Sequence, residues 1–253
     1  MKKTYKERFA EIEAKHPFRP YVDIIYEVLL KDIITGVYPP HSKLVEYRMA
    51  SELGVSRTPV RQAFEKLEEQ GFIYTKVASG AFVAPFDQNL LDDLLQTRYT
   101  LERLACAQSS ERITQEELGR MFQLCVEMDI AYCNYGDGRH AEAEDNFHLH
   151  LVNCSHNDFL IKAYNSILLQ IRRYRSYITQ NWRLMEAGKN PTKVLSNKHS
   201  GVDFDALSNH EFRTEIGYEH YLIYLAIYNR RPESAMAALT YEMMLNNPSL
   251  KYY

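Results

Sequence analysis

Residues 44–71, LVEYRMASELGVSRTPVRQAFEKLEEQG, decide the fold of this 253-residue chain. Leu44, Met49, Ala50 and Leu53 recur at helical spacing, and Gly54 stands where that helix must end, a place where a positive φ costs glycine least. Val55 turns inward. Ser56 takes the N-cap of a second helix, where a hydroxyl accepts from free amides, and Pro59 falls in the first turn, where no intrahelical donor is lost. Along this second helix Val60, Ala63, Phe64 and Leu67 share one face, while Arg57, Thr58, Arg61 and Gln62 share the other. The pair reads as a helix-turn-helix. Its polar face suits the major groove, where Arg pairs with guanine and Gln with adenine. A solvated face that happens to carry two arginines is the competing reading, and the flanking sequence argues against it.

Upstream, Val22, Ile25, Leu29 and Ile33 place an amphipathic helix over residues 21–35. Gly36 stops it, and Tyr38-Pro39-Pro40 forces an extended turn. Downstream, Phe72 to Val77 is β-rich, Ala78-Ser79-Gly80 turns, and Ala81-Phe82-Val83 returns. That hairpin is a wing, and the whole is a winged helix-turn-helix.

The runs GVYPPHSKL (36–44) and LGVSRTPVRQAFEKLEEQGFI (53–73) closely resemble the DNA-binding domain of GntR-family bacterial transcription regulators, over residues 18–86. The resemblance implies DNA contacts from Arg48, from Ser56, Arg57, Thr58 and Arg61 at the start of the recognition helix, and from Ser79 and Gly80 at the wing tip. Two positions depart from the family. His41 stands where Gly is usual and should be tolerated in a loop. Gln62 replaces a common Glu and adds a neutral donor and acceptor near the bases.

Composition sets the outer bounds. A 45% hydrophobic content is ample for globular cores, and the length suits two domains. No apolar run approaches the roughly 18 residues of a membrane span, and residues 1–16 lack a secretory core, so a cytoplasmic protein is expected. Cys106, Cys125, Cys133 and Cys154 are irregularly spaced and read as reduced thiols. Cys154 near His156 hints at a nucleophile pair, with nothing else to support one. Residues 1–86 carry a net charge of +2 and residues 87–253 one of −5. A nearly neutral DNA-binding domain implies modest non-specific affinity, so tight binding should need two half-sites. Residues 1–17 form an arm, weakly amphipathic through Phe9 and Ile12, expected to be partly ordered and without a role we can name.

The rest, residues 87–253, reads as an all-helical bundle for ligand binding and dimerisation, and the chain as mainly α. Helices are expected from Asp87 or Asn89 to about Ser110, from a capping-box start at Thr114 to about Tyr135, and over 139–154, 158–186, 208–229 and 233–246. Gly136-Asp137-Gly138 breaks the chain, and residues 191–201 form the longest loop. Three motifs appear in order: R-x-x-L-E from Arg98 to Glu102, F-H-x-x-L-x-x-x-S-x-N from Phe147 to Asn157, and E-H-x-x-I-x-x-A-I from Glu219 to Ile227. Together they resemble the effector-binding FCD domain of the fatty-acid-responsive branch of GntR regulators.

Members of that family often hold a divalent metal through an Asp, the His of F-H, the His of E-H and a further His. Carried over, the set is Glu144, His148, His220 and Glu242, with Glu in place of the family's Asp and last His. Glu144 and His148 at i and i+4 share a helical face, and carboxylate with imidazole suits Zn, Ni, Fe or Mn, the two carboxylates favouring a hard ion such as Mn. Asp145 could stand in for Glu144. The opposing reading is a hydrogen-bonded His/Glu cluster that has lost its metal. His150, His199 and His210 are read as unrelated. A metal with open positions would bind a carboxylate effector, and Arg98 is the residue expected to reach it; otherwise Arg98 forms an i,i+4 ion pair with Glu102. Arg172 and Arg173 are further pocket candidates.

The expectation is a regulator, acting by repression as a homodimer on pseudo-palindromic double-stranded DNA, controlled by a small carboxylate effector. Two alternatives stay open. One is a metal-free regulator with a purely organic, acyl-type pocket, and the other a metal-dependent enzyme with a DNA-targeting module.

Overall fold

The computed structural model describes residues 4–133, 139–185 and 212–246. The chain divides into two compact units: residues 1–88 with 173–182, and residues 89–172 with 183–253. The expected break at Gly136-Asp137-Gly138, the 191–201 loop, His199, His210 and residues 208–211 lie outside the described residues, and the helix expected over 208–229 starts only at Glu215, where Thr214 caps it.

In the first unit, helix α1 (Tyr5–Lys15) opens with a reciprocal capping box between Thr4 and Glu7 and buries Phe9. The arm is therefore a docked helix. The signal was weak in the sequence because contacts to other elements hold it: Phe9 against Tyr21 with centroids 5.6 Å apart, Arg8 with the buried Asp32, the Tyr5 hydroxyl on Glu52 and Tyr21 on Glu13. Helix α2 (Tyr21–Ile34) buries Ile25, Leu29 and Ile33 of the anticipated stripe, together with Ile24 and Val28, while Val22 is only half-buried. Strand β1 (Lys43–Leu44) leads into α3 (Glu46–Leu53), which ends at Gly54 with φ +72°. Helix α4 (Arg57–Glu69) buries Val60, Ala63, Phe64 and Leu67. Ser56 is its N-cap by backbone, but its hydroxyl makes no capping bond, contrary to expectation. The wing is β2 (Ile73–Lys76) and β3 (Gly80–Val83), paired antiparallel in register Ile73 to Val83 and Lys76 to Gly80. Strand β1 joins the other edge of β3, making a three-stranded sheet of order β1-β3-β2.

The second unit holds α5 (Gln88–Arg112), α6 (Gln115–Cys133), α7 (Arg139–Asn153), α9 (Glu215–Tyr228) and α10 (Pro232–Asn246), with the first half of α8 (Asp158–Met185). Helix α6 packs on α7 and α9, and α9 on α10. The core gathers Met121, Leu124, Phe147, Leu151, Ile223 and Leu239, each at most 2% exposed. Thr114 and Glu117 form the anticipated box at the start of α6, with Glu117 N to Thr114 Oγ1 at 3.3 Å and Thr114 N to Glu117 Oε2 at 2.8 Å. Asn157 starts α8 by accepting from Phe159 N and Leu160 N, both at 3.2 Å. No helix among the described residues is long and apolar enough to cross a membrane.

Candidate metal centre and nucleic-acid interface

Four buried side chains converge in the second unit: Glu144 and His148 from α7, His220 from α9 and Glu242 from α10. One ligand atom from each lies within 4.8 Å of all the others. The two imidazoles face each other through Nε2, 3.1 Å apart. That is about the spacing of adjacent donors sharing an ion at 2.0–2.1 Å. His148 Nε2 also lies 3.4 Å from Glu144 Oε1, and His220 Nε2 lies 3.9 Å from Glu144 Oε2.

The outward nitrogens are fixed by the surrounding helices. His220 Nδ1 donates to the Ile216 carbonyl at 2.7 Å, one turn back on α9. His148 Nδ1 sits 3.1 Å from Glu102 Oε2 on α5. Glu102 is fully buried, and it accepts from Arg98 Nε at 2.8 Å and Tyr164 Oη at 2.7 Å. Burial alone would raise the Glu102 carboxyl, but Arg98 and His148 beside it hold it down at about 2. Burial likewise disfavours a charge on His148, yet the Glu102 carboxylate overcomes this and lifts it to about 9. Burial holds His220 below its ordinary value.

Arg98 makes the i,i+4 pair with Glu102 and still faces the cluster. Its Nη2 is buried, has no hydrogen-bond partner, and lies 3.9 Å from Glu144 Oε1. Arg172 is drawn aside: its Nε pairs with Asp145 at 2.8 Å, which also commits Asp145. Arg173 departs from its expected place in the pocket. It belongs to the first unit, is 1% exposed, donates to the Ala84 carbonyl and stacks 4.7 Å from the Phe86 ring. Adjacent residues on a helix point about 100° apart, so the two arginines serve different units. His150 Nε2 contacts the Glu117 carbonyl at 2.9 Å. Burial pushes the Cys154 thiol up to about 12, leaving no thiolate for nucleophilic chemistry.

In the first unit, Arg48, Ser56, Arg57, Thr58, Arg61, Gln62, Ser79 and Gly80 are all exposed. Sequence reasoning missed their carboxylate partners, as it missed the second role of Glu102. Arg57 Nη2 reaches Glu46 at 3.4 Å, Arg48 Nε reaches Glu52 at 2.8 Å, and Arg61 Nε lies 3.7 Å from Glu65. The two i,i+4 spacings were there to be read; the Glu46–Arg57 pair spans two helices and was not.

Residues 22–83 match the bacterial regulatory proteins of the gntR family, and residues 93–243 match the FCD domain. The chain is 32% identical over 147 residues to the Nta operon transcriptional regulator of Aminobacter aminovorans, covering 58% of this chain and 70% of that protein. It is 24% identical over 180 residues to a probable D-xylose utilization operon transcriptional repressor of Paenarthrobacter nicotinovorans, covering 70% of this chain and 78% of that protein. Among solved structures, E. coli McbR/YncC superposes with a TM-score of 0.64 at 21% identity, covering 91% of this chain and 97% of that one. A GntR regulator from Rhodococcus gives the same TM-score at 19% identity, covering 90% and 96%.

Proposed function

This chain belongs to the gntR family of bacterial regulatory proteins, in the branch that carries an FCD domain, and we propose that its effector site is built on a divalent metal held by Glu144, His148, His220 and Glu242. The protein is a transcription regulator that binds operator DNA and responds to a small-molecule effector; it is not an enzyme. The finer reading rests on one observation: two buried imidazoles whose Nε2 atoms meet 3.1 Å apart beside carboxylates, His220 being held at Nδ1 by the Ile216 carbonyl and His148 Nδ1 lying 3.1 Å from Glu102. Oriented imidazole with an outer carboxylate or carbonyl partner is what ligation requires. The composition also fits, since Glu102, Glu144 and Glu242 outnumber Arg98 in a buried cluster that a cation would balance.

When bound, the metal supplies a Lewis-acid anchor for an anionic ligand. The protein's own part is positional. Arg98 offers Nη2 beside Glu144, a donor matched to a carboxylate effector. Arg172, tied to Asp145, would act only after releasing that partner. At the other unit, Arg57, Thr58, Arg61 and Gln62 read bases, while Arg48, Ser56, Ser79 and Gly80 contact the backbone or the minor groove. A homodimer, repression and a cytoplasmic setting complete the proposal: the nearly neutral DNA-binding half needs two half-sites, and the protein must reach DNA. Effector control then requires different effector affinities in DNA-competent and DNA-incompetent states.

Elemental analysis of the protein purified without chelator, beside native mass spectrometry, tests the metal. About one transition metal per chain, lost in His148→Ala with His220→Ala while DNA binding persists, is the expected result. No metal, together with a retained organic molecule, would overturn it in favour of a pocket that binds its ligand unaided.

A further inference from the structure

Each arginine assigned to the DNA face is already engaged by a carboxylate of its own unit. Arg57 meets Glu46 at 3.4 Å, Arg48 meets Glu52 at 2.8 Å and Arg61 meets Glu65 at 3.7 Å. These are solvent-facing pairs, with the arginine side chains 64–75% exposed and the glutamates 31–60%. Two of the partners sit on the helix preceding the recognition helix. Glu52 is further fixed, because its second oxygen accepts the Tyr5 hydroxyl from α1. Two lysines of the sheet face an aromatic ring: Lys76 of the wing lies 5.5 Å and Lys43 of β1 5.9 Å from the Phe82 ring centroid.

We propose that Glu46, Glu52 and Glu65 are specificity-determining residues, which hold the DNA-contacting arginines until a cognate groove displaces them. The inference rests on the DNA-binding reading of this face. A phosphate approaching at random meets an arginine whose charge is already compensated, and it meets the carboxylate as well. Non-specific binding, which draws its strength from phosphate neutralisation, is therefore weakened. For Arg57 and Arg61 a guanine edge offers two acceptors in the geometry of the guanidinium fork, and for Arg48 a backbone phosphate held in register by those base contacts offers another, which offsets the loss of the carboxylates. The carboxylates thus penalise wrong sequences more than the right one, and discrimination is that difference. The Tyr5 hydroxyl gives α1 a part in this: it keeps Glu52 in place beside Arg48.

The test needs an operator and a random duplex. The operator is recovered by selection from randomised DNA with the wild-type protein, and both duplexes are titrated by fluorescence anisotropy over a range of salt. In Glu46→Gln/Glu52→Gln/Glu65→Gln, random-duplex affinity should rise about tenfold or more. Its salt slope should steepen by up to about 0.9 per arginine released. Operator affinity should rise less, so that the specificity ratio falls about fivefold. Glu13→Gln/Glu27→Gln/Glu69→Gln removes the same charge from carboxylates that touch none of the three arginines, and should leave the ratio near wild type. Equal gains on both duplexes, or an equal loss of ratio in this second variant, would show a bulk charge effect and overturn the inference. Glu65→Gln alone, on an exposed face, should lower the ratio in the same direction if the triple variant misfolds; an unchanged ratio there overturns it too. If wild-type protein enriches no sequence, the DNA-binding reading itself fails, and the inference with it.

Discussion

His41 adopts φ +66°, a left-handed conformation that costs a side-chain-bearing residue about 1–2 kcal/mol. It is held there by its amide, which donates to the Val83 carbonyl at 2.9 Å and ties the loop to the sheet. His41 lies in a turn, as expected, in a backbone conformation that glycine adopts at less cost. His41→Gly should raise unfolding stability by about 0.5–1 kcal/mol, the relief being reduced by the extra freedom of unfolded glycine. An unchanged urea midpoint would mean the backbone bears no strain there. Glu102 makes the opposite kind of contribution. Held from 4.5 down to about 2 in the fold, it stabilises fully above pH 4.5, and that stabilisation is lost as pH falls toward 2. The melting temperature of metal-free protein should therefore drop through this window. Glu102→Gln should melt lower at neutral pH, where it leaves Arg98 and His148 without their partner, and the two curves should converge in acid.

Among the elements, α1 and α9 are positioned by buried polar groups as well as by apolar contacts. Asp32 on α2 is 2% exposed, burial raises its carboxyl, and Arg8 of α1 opposes that rise. Arg8→Ala should cost about 1–3 kcal/mol by stranding this carboxylate. The cost should shrink in acid as Asp32 protonates, and equal loss at pH 7 and pH 4 would rule out the charge as the cause. The start of α9 is built on Asp129, which accepts from Thr214 N and Oγ1, both at 2.8 Å. A Cβ at Gly217 would lie 2.6 Å from Asp129 Oδ1. Gly217→Ala must push α9 away from α6, and His220 stands less than one turn further along. We expect both a lower melting temperature and weaker metal uptake from this one methyl; normal uptake would show that the centre tolerates the shift. Arg230, at φ +56°, sends its guanidinium to the Ser110 and Ile113 carbonyls at 3.2 and 2.9 Å, closing the end of α5.

For the whole molecule, a ligand that binds only the folded state stabilises by mass action. A metal at a hundredfold its dissociation constant should add about 2.7 kcal/mol. Calorimetry with and without chelator should show this gain for wild type and none for His148→Ala; a shift that survives the substitution would place the metal elsewhere. The sequence by itself determined the winged helix, the helices of the second half and the pairing of Glu144 with His148. Those features follow from local periodicity and caps, each visible within a dozen residues. Tertiary structure alone decided the rest. Strand β1 is two residues long and has no periodicity to read. Helix α1 is defined by what it docks against. Glu102 read as the partner of Arg98, and only the approach of α5 to α7 turns its other oxygen toward His148. Glu242 meets His220 because α9 and α10 pack side by side. Arg172 and Arg173, neighbours in the chain, went to different units because a helix rotates by about 100° per residue while its surroundings change. Contacts between distant segments carry no local signature, and the geometry of this centre consists of such contacts.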